Sequence, residues 1–176
     1  MLIKNVRISF ADLFTARSFE DQEPKFSCTF LIPEGSELDK QIRAEIKRVA
    51  VAKWGAKAES ILKSIQGNNM KFCYRPAGEK DYNGYDGMCF FKASNTSRPT
   101  VIDRDKTPLT QADGKPYSGC YVNASVDFYA HNKGGIACSL KGVQFFRDGD
   151  AFTGGGVASP DDFDDLGVEE SEHDFA

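Results

Sequence analysis

The sequence predicts a mainly β fold: a small, five-stranded, partly open barrel with one main helix, followed by a disordered acidic tail. Three observations carry this. Several short runs alternate apolar with polar residues, the period of two expected of strands with one buried face. One long stretch, residues 36–54, instead repeats its apolar residues every three or four positions. Finally, no Lys or Arg follows Arg147, while acidic residues crowd the end of the chain.

The elements follow in order. Val6, Ile8 and Phe10 alternate with Arg7 and Ser9, and Phe26, Cys28, Phe30 and Ile32 alternate with Ser27, Thr29 and Leu31. Residues 1–32 thus read as two strands, with Phe10 on the apolar face and a polar loop at 15–24. Pro33, Gly35 and Ser36 mark a helix start, and Asp39, three residues after Ser36, gives a capping-box-like arrangement. Leu38, Ile42, Ile46 and Val49 form the helix's apolar face, and Gly55 ends it. A shorter helical stretch covers 58–65. Candidate strands follow at 70–74, 87–92 and 100–102, separated by a tyrosine-containing run of turn formers at 75–85. Residues 103–118 read as a mobile loop. In 119–147, Val122, Ala124, Val126 and Phe128 lead into the turn Asn132-Lys-Gly-Gly135, and Ile136, Cys138 and Leu140 return. Apolar parity changes at Gly142, which predicts a bulge in a long hairpin. Gly154-Gly-Gly156 is a flexible linker, so residues 1–153 form the domain and 154–176 the linker and tail.

Several function classes are excluded at this level. No apolar run approaches the roughly 20 residues of a membrane span, and the N-terminus lacks a signal-peptide pattern. A cytoplasmic protein without a membrane partner is expected. The five cysteines include no C-x-x-C pair, and His131 and His173 lie far from each other and from any cysteine. Buried free thiols are expected, with no metal and no cofactor. Nucleophile-elbow, zinc-protease and phosphate-loop motifs are absent. Asp103 and Asp105 have the chemistry of metal-holding nuclease carboxylates. They alternate with Arg104 and Lys106 in a polar loop, which reads as a solvated turn, so no enzyme is expected.

Divided by position, the charge is informative. Residues 1–156 hold all 22 basic side chains against 18 acidic ones, a net +4, and the remaining eight acids give the tail −8. A basic body with an acidic tail points to nucleic acid. Single strands are held by bases that track phosphates and by rings on which bases stack. Tyr82 and Tyr85 sit in a Gly/Asn/Asp-rich turn that no core pattern claims, and Tyr121 and Tyr129 lie on the polar face of the hairpin. Tyr74 adjoins Arg75, and Phe91 adjoins Lys92. With Lys80, Arg98, Arg104 and Lys106, these residues make the candidate binding groove. The tail sets Phe163 between Asp161, Asp162, Asp164 and Asp165, and ends Asp174-Phe175-Ala176. Acid with isolated aromatics suits docking on a partner, or lying across a basic groove in competition with phosphates.

Four segments carry a resemblance: Gly87-Met-Cys-Phe-Phe-Lys-Ala-Ser94, Arg98-Pro-Thr-Val-Ile-Asp103, Tyr117-Ser-Gly-Cys-Tyr-Val-Asn-Ala-Ser-Val-Asp-Phe-Tyr-Ala130 and Gly142-Val-Gln-Phe-Phe-Arg-Asp-Gly149. In order and spacing the chain resembles the phage single-stranded DNA-binding proteins formerly catalogued as a domain of unknown function. The resemblance implies an OB-fold, sequence-independent binding of single strands in phage replication or recombination, and replication proteins as partners of the tail. The site list rests on the residues above, not on the family. The sequence leaves weak duplex binding open, because a basic groove attracts any phosphate backbone. The alternatives are a strand-annealing mediator sharing the same groove, an adaptor acting through its tail, and a nuclease using Asp103 and Asp105.

Overall fold

The structure, a computed structural model, describes residues 1–18, 20–152 and 163–168. Its elements are β1 (Leu2–Arg17), β2 (Lys25–Pro33), α1 (Glu37–Trp54), α2 (Ala58–Ile65), β3 (Tyr74–Arg75), β4 (Met88–Asn95), β5 (Thr100–Ile102), β6 (Tyr121–His131) and β7 (Gly135–Arg147). Five strands form a barrel in the circular order β1, β2, β4, β7, β6. All neighbours are antiparallel except at the seam, where β4 meets β7 in parallel at Ser94 and Ser139. Asn95 Nδ2 reinforces the seam by donating to the Leu140 carbonyl at 3.0 Å. The barrel is therefore closed, not partly open. A single-pair parallel seam between strands distant in sequence leaves no turn signal to read. β3 and β5 are short additions on β4 and β7.

Two kinks let β1 serve two neighbours. Asn5 and Phe10 take left-handed backbone, φ 55° and 49°, unfavourable for residues with a Cβ. The register slips at both places, against β6 between Ile3 and Val6 and against β2 between Ser9 and Asp12. At Asn5 the side chain of Asn123 accepts the backbone N–H at 3.0 Å, and Arg147 Nε donates to Asn5 Oδ1 at 3.1 Å. At Phe10 the slip reverses parity: Ile8 and Leu13 are buried, while Phe10 is 56% exposed. Phe10 therefore lies outside, contrary to the plain alternation. The strand also continues to Arg17, shortening the expected 15–24 loop.

α1 forms as its pattern dictates. Ser36 Oγ accepts the Asp39 N–H at 3.2 Å, Asp39 Oδ2 accepts the Gly35 N–H at 2.9 Å, and Gly55 closes the helix at φ 57°. Ile42 and Ile46 enter the core with Phe30, Phe91 and Phe128. Asp39 also accepts from the Tyr74 hydroxyl at 2.7 Å and from Arg43 Nε at 2.9 Å, tying the helix start to β3. Burial pushes the Asp39 carboxyl up, but the bonds from Tyr74, Gly35 and Arg43 outweigh it and hold the carboxyl below its ordinary value. A depressed carboxyl contributes stability above its unfolded pKa, and that stability fades as pH falls through the folded value. Melting temperatures of the chain and of Asp39→Asn should thus differ most at neutral pH and converge below about pH 4.

Other segments refine the sequence reading. Within 70–74 only Tyr74 is in a strand, with Phe72 making an isolated bridge to Ile136. Residues 103–118 are a series of bonded turns rather than a free loop. Asp103 N donates to Thr107 O at 2.8 Å, Leu109 N donates to Val101 O at 2.9 Å, and a 3-10 turn spans Gln111–Asp113. The bulge at Gly142 is present: pairing passes from Val126–Leu140 to Ser125–Gly142, leaving Lys141 as the extra residue. All five cysteines are free. Burial pushes the Cys73 thiol up to about 12 and that of Cys120 to about 11. Among the described residues, no helix is long and apolar enough to cross a membrane. The Gly154–156 linker, the domain boundary at 153, and Asp161, Asp162, Asp174 and Phe175 lie outside the described residues. Phe163, Asp164 and Asp165 are exposed.

Candidate nucleic-acid interface

The β2–β4 pair has two distinct faces. Cys28 with Ala93, Phe30 with Phe91, and Ile32 with Cys89 are opposed and buried in the core cluster. Thr29 with Lys92 and Leu31 with Phe90 alternate with them and therefore face outward. The chain between β3 and β4 folds over part of this outer face, setting Tyr85 edge-on to Phe90 at 5.3 Å. Tyr82 stands edge-on to Tyr85 at 5.2 Å and to Phe10 at 5.6 Å. The result is a chain of rings that begins buried at Tyr85 and ends exposed, with Tyr82 48% and Phe10 56% open to solvent. Anchoring exposed rings on buried ones limits the freedom they lose when a ligand stacks on them.

These rings wall a groove of about 280 Å³, completed by Thr29, Lys80 and Lys92. Lys80 Nζ lies 6.0 Å from the centre of the Tyr82 ring. Among the described residues, neither Lys80 nor Lys92 makes an ion pair. Lys92 also borders a second hollow of about 460 Å³, lined by Lys25, Ser27 and Ala137 and by Arg17, Asp12 and Glu23. Together the hollows present aromatic faces at one end and the lysines Lys80, Lys92 and Lys25, none of which makes an ion pair among the described residues, the two features that hold a single strand. Another cleft, about 330 Å³, lies between the end of β1 and residues 111–118. Its cations are already engaged, Arg17 with Asp12 at 2.8 Å and Lys115 with Asp103 at 3.0 Å.

The candidate residues from the sequence divide sharply. Lys80, Tyr82, Tyr85 and Lys92 come together at the groove. Tyr85 is only 2% exposed, so it supports Tyr82 rather than offering a face of its own. Arg75 lines the same groove, but its guanidinium is committed to Glu79 and to the carbonyls of Gln66 and Phe72. Phe91 is fully buried against Phe30 and Phe128, with ring centres at 5.2 and 5.1 Å, and cannot meet a base. Tyr74 is buried as well, its hydroxyl spent on Asp39. The sequence predicts both at the groove because each precedes a basic residue. In a strand, however, neighbours point to opposite faces, so Lys92 outside places Phe91 inside; at Tyr74 both the ring and the adjoining Arg75 are buried.

Four further candidates do not line the groove. Arg98 stands over Phe14 at 5.7 Å, Arg104 binds the Phe146 carbonyl, Lys106 holds a tight turn at φ 70°, and Tyr121 lies 3.6 Å beneath the Arg147 guanidinium. Tyr129 pairs with Ala137 across the hairpin, on the face that borders the second hollow. The carboxylates weighed for metal chemistry serve turns instead. Asp103 accepts from the Arg104 N–H and pairs with Lys115, and Asp105 accepts from the Thr107 N–H. Phe10, Thr29, Phe90, Arg17 and Lys25 line the hollows without having been singled out. For Phe10 a signal existed: apolar parity slips between Phe10 and Leu13, as it does at Gly142.

A closed five-stranded barrel with its groove on the outer face of the second and third barrel strands defines an OB-type protein. The chain belongs to the Enterobacter phage Enc34 ssDNA-binding protein family, whose model matches residues 1–176. It is 51% identical over 175 residues to putative protein p50 of Acyrthosiphon pisum secondary endosymbiont phage 1, covering 97% of this chain and 95% of that one. Its fold matches the single-stranded DNA-binding protein of bacteriophage Enc34 solved in complex with ssDNA. That match has a TM-score of 0.68 and 24% identity, over 86% of this chain and 88% of that one. The same phage protein in a second structure matches with a TM-score of 0.69 and 23% identity, over 93% and 89%.

Proposed function

We propose that this chain binds single-stranded DNA without sequence preference, protecting and organising it in phage replication and recombination in the cytoplasm of the infected host. The observation that carries the reading is the exposed Phe10–Tyr82 ring pair beside Lys80 and Lys92, on the face that OB barrels use for oligonucleotides. Bases stack on the two rings, and the lysines meet the backbone on either side. The strand continues past Lys92 toward Lys25, with Tyr129 near the far rim. Membership of the Enc34 family supports the ligand class. The reading involves neither catalysis nor a cofactor.

The acidic tail completes the proposal. With its eight acidic residues, it competes for the groove when DNA is absent. When DNA fills the groove, the tail is free to recruit replication proteins through exposed apolar residues such as Phe163. Fluorescence anisotropy of a labelled oligonucleotide, titrated with the full chain and with residues 1–156 at two salt concentrations, tests both parts. Salt-sensitive binding that tightens without the tail supports them. Absence of binding by both proteins at low salt rejects the groove and leaves the tail adaptor in front. Lys92→Ala should also flatten the slope of log affinity against log salt by about 0.7, one phosphate contact on a single strand. A slope equal to that of the unaltered chain would remove Lys92 from the phosphate path.

A further inference from the structure

The segment after β7 does not simply leave the barrel. Tyr117 donates its hydroxyl to Asp148 Oδ1 at 2.7 Å and accepts the Gly149 N–H at 3.2 Å. Arg7 Nη2 donates to the Asp150 carbonyl at 2.6 Å, and Phe152 N donates to the Ser118 carbonyl at 3.0 Å. A side chain at Gly119 would collide with the backbone of Asp150, so the close approach depends on that glycine. Residues 148–152 are thus strapped across the barrel. At the end of the strap, the Phe152 ring lies 4.1 Å from the Arg7 guanidinium and occupies the space where a Cβ on Gly84 would stand. Gly84 has φ 85° and sits in the turn between Tyr82 and Tyr85.

We infer that Phe152 is a positioning residue for strand binding: it wedges under Gly84 and, with Arg7, fixes the turn that presents Tyr82 to the groove. This rests on the placement of DNA on the Tyr82 groove. Phe152 is not among the residues lining that groove, so it acts through the turn and not through contact with a base. Three features converge on this point. The turn has an opening only glycine can leave, a ring fills it, and the guanidinium stacked on that ring is held by the Gly119 carbonyl at 3.0 Å as well as by Asp150. The root of the acidic tail therefore has a role separate from the tail itself. Removing the tail beyond the strap and loosening the strap act in opposite directions on affinity.

The test uses full-length Phe152→Ala, Phe152→Tyr and Gly84→Ala, with Tyr82→Ala as reference. Two quantities are measured: affinity for a labelled oligothymidine, and amide hydrogen exchange of residues 81–87 without DNA. Phe152→Ala is expected to weaken binding about fivefold, part of the contribution of one stacked base, and to speed exchange in the turn. Gly84→Ala, whose new methyl meets the ring, is expected to do both as well, and Phe152→Tyr to restore both. If Tyr82→Ala weakens binding while Phe152→Ala leaves affinity and exchange unchanged, the strap inference fails and the groove stands. If Tyr82→Ala itself leaves affinity unchanged, the groove placement fails, and the inference with it.

Discussion

Replacing Phe10 and Tyr82 together by alanine should lower affinity for single-stranded DNA by about a hundredfold, with little change in melting temperature. Each exposed ring offers a platform for one base, and such stacking contributes about 1–3 kcal/mol per base. The two rings touch edge to face at 5.6 Å, so their effects are expected to couple rather than to add. Both are about half exposed, so the stability loss is that of surface positions. Phe10→Ala also relieves little strain, because alanine keeps a Cβ at φ 49°. Titrations of the two single variants and the double variant against one oligonucleotide give the coupling directly. Equal affinity in all four proteins would move the strand off this face.

Phe91→Ala should give the opposite pattern. Phe91 is fully buried between Phe30 and Phe128. Truncating it leaves a cavity at the centre of the barrel, at a cost of about 3–5 kcal/mol. In a chain of this length that is a fall in melting temperature of about 10 °C. At temperatures where the variant remains folded, its affinity for single strands should stay within about twofold of the unaltered chain, since Phe91 offers no face to the groove. A large loss of affinity with an unchanged melting temperature would mean that the ring reaches the ligand. Measured side by side, Tyr82 and Phe91 separate a ring that binds from a ring that folds.

The sequence made the barrel legible through its alternation. Val122 to Phe128 and Ile136 to Leu140 mark the long hairpin, Gly142 marks its bulge, and Ser36 with Asp39 marks the start of α1. Phe10 was harder to place because a left-handed kink at a phenylalanine runs against local preference. Only the parity slip before Leu13 betrays it. Tyr74 and Phe91 differ for another reason: adjacency to a base in sequence is not adjacency in space, because strand neighbours face opposite ways. Arg75 illustrates a third limit. Its distance from Glu79 in sequence is compatible with either an ion pair or a free cation, and only the fold shows its donors occupied. The exposure of Tyr82 beside Lys80 is legible because a turn rich in Gly and Asn has no core to which its ring could belong, and that of Lys92 because it alternates with buried Phe91 and Ala93 in β4.

The placement of the strand is tested most directly by photocrosslinking. An oligothymidine carrying 5-iododeoxyuridine is irradiated in complex with the full-length chain, and the adducts are mapped by mass spectrometry. Adducts at Tyr82 and Phe10 are expected, since both rings stand open at the groove. Adducts confined to Tyr121 or Phe14, with none on the Phe10–Tyr82 pair, would contradict the account and place the DNA elsewhere on the barrel.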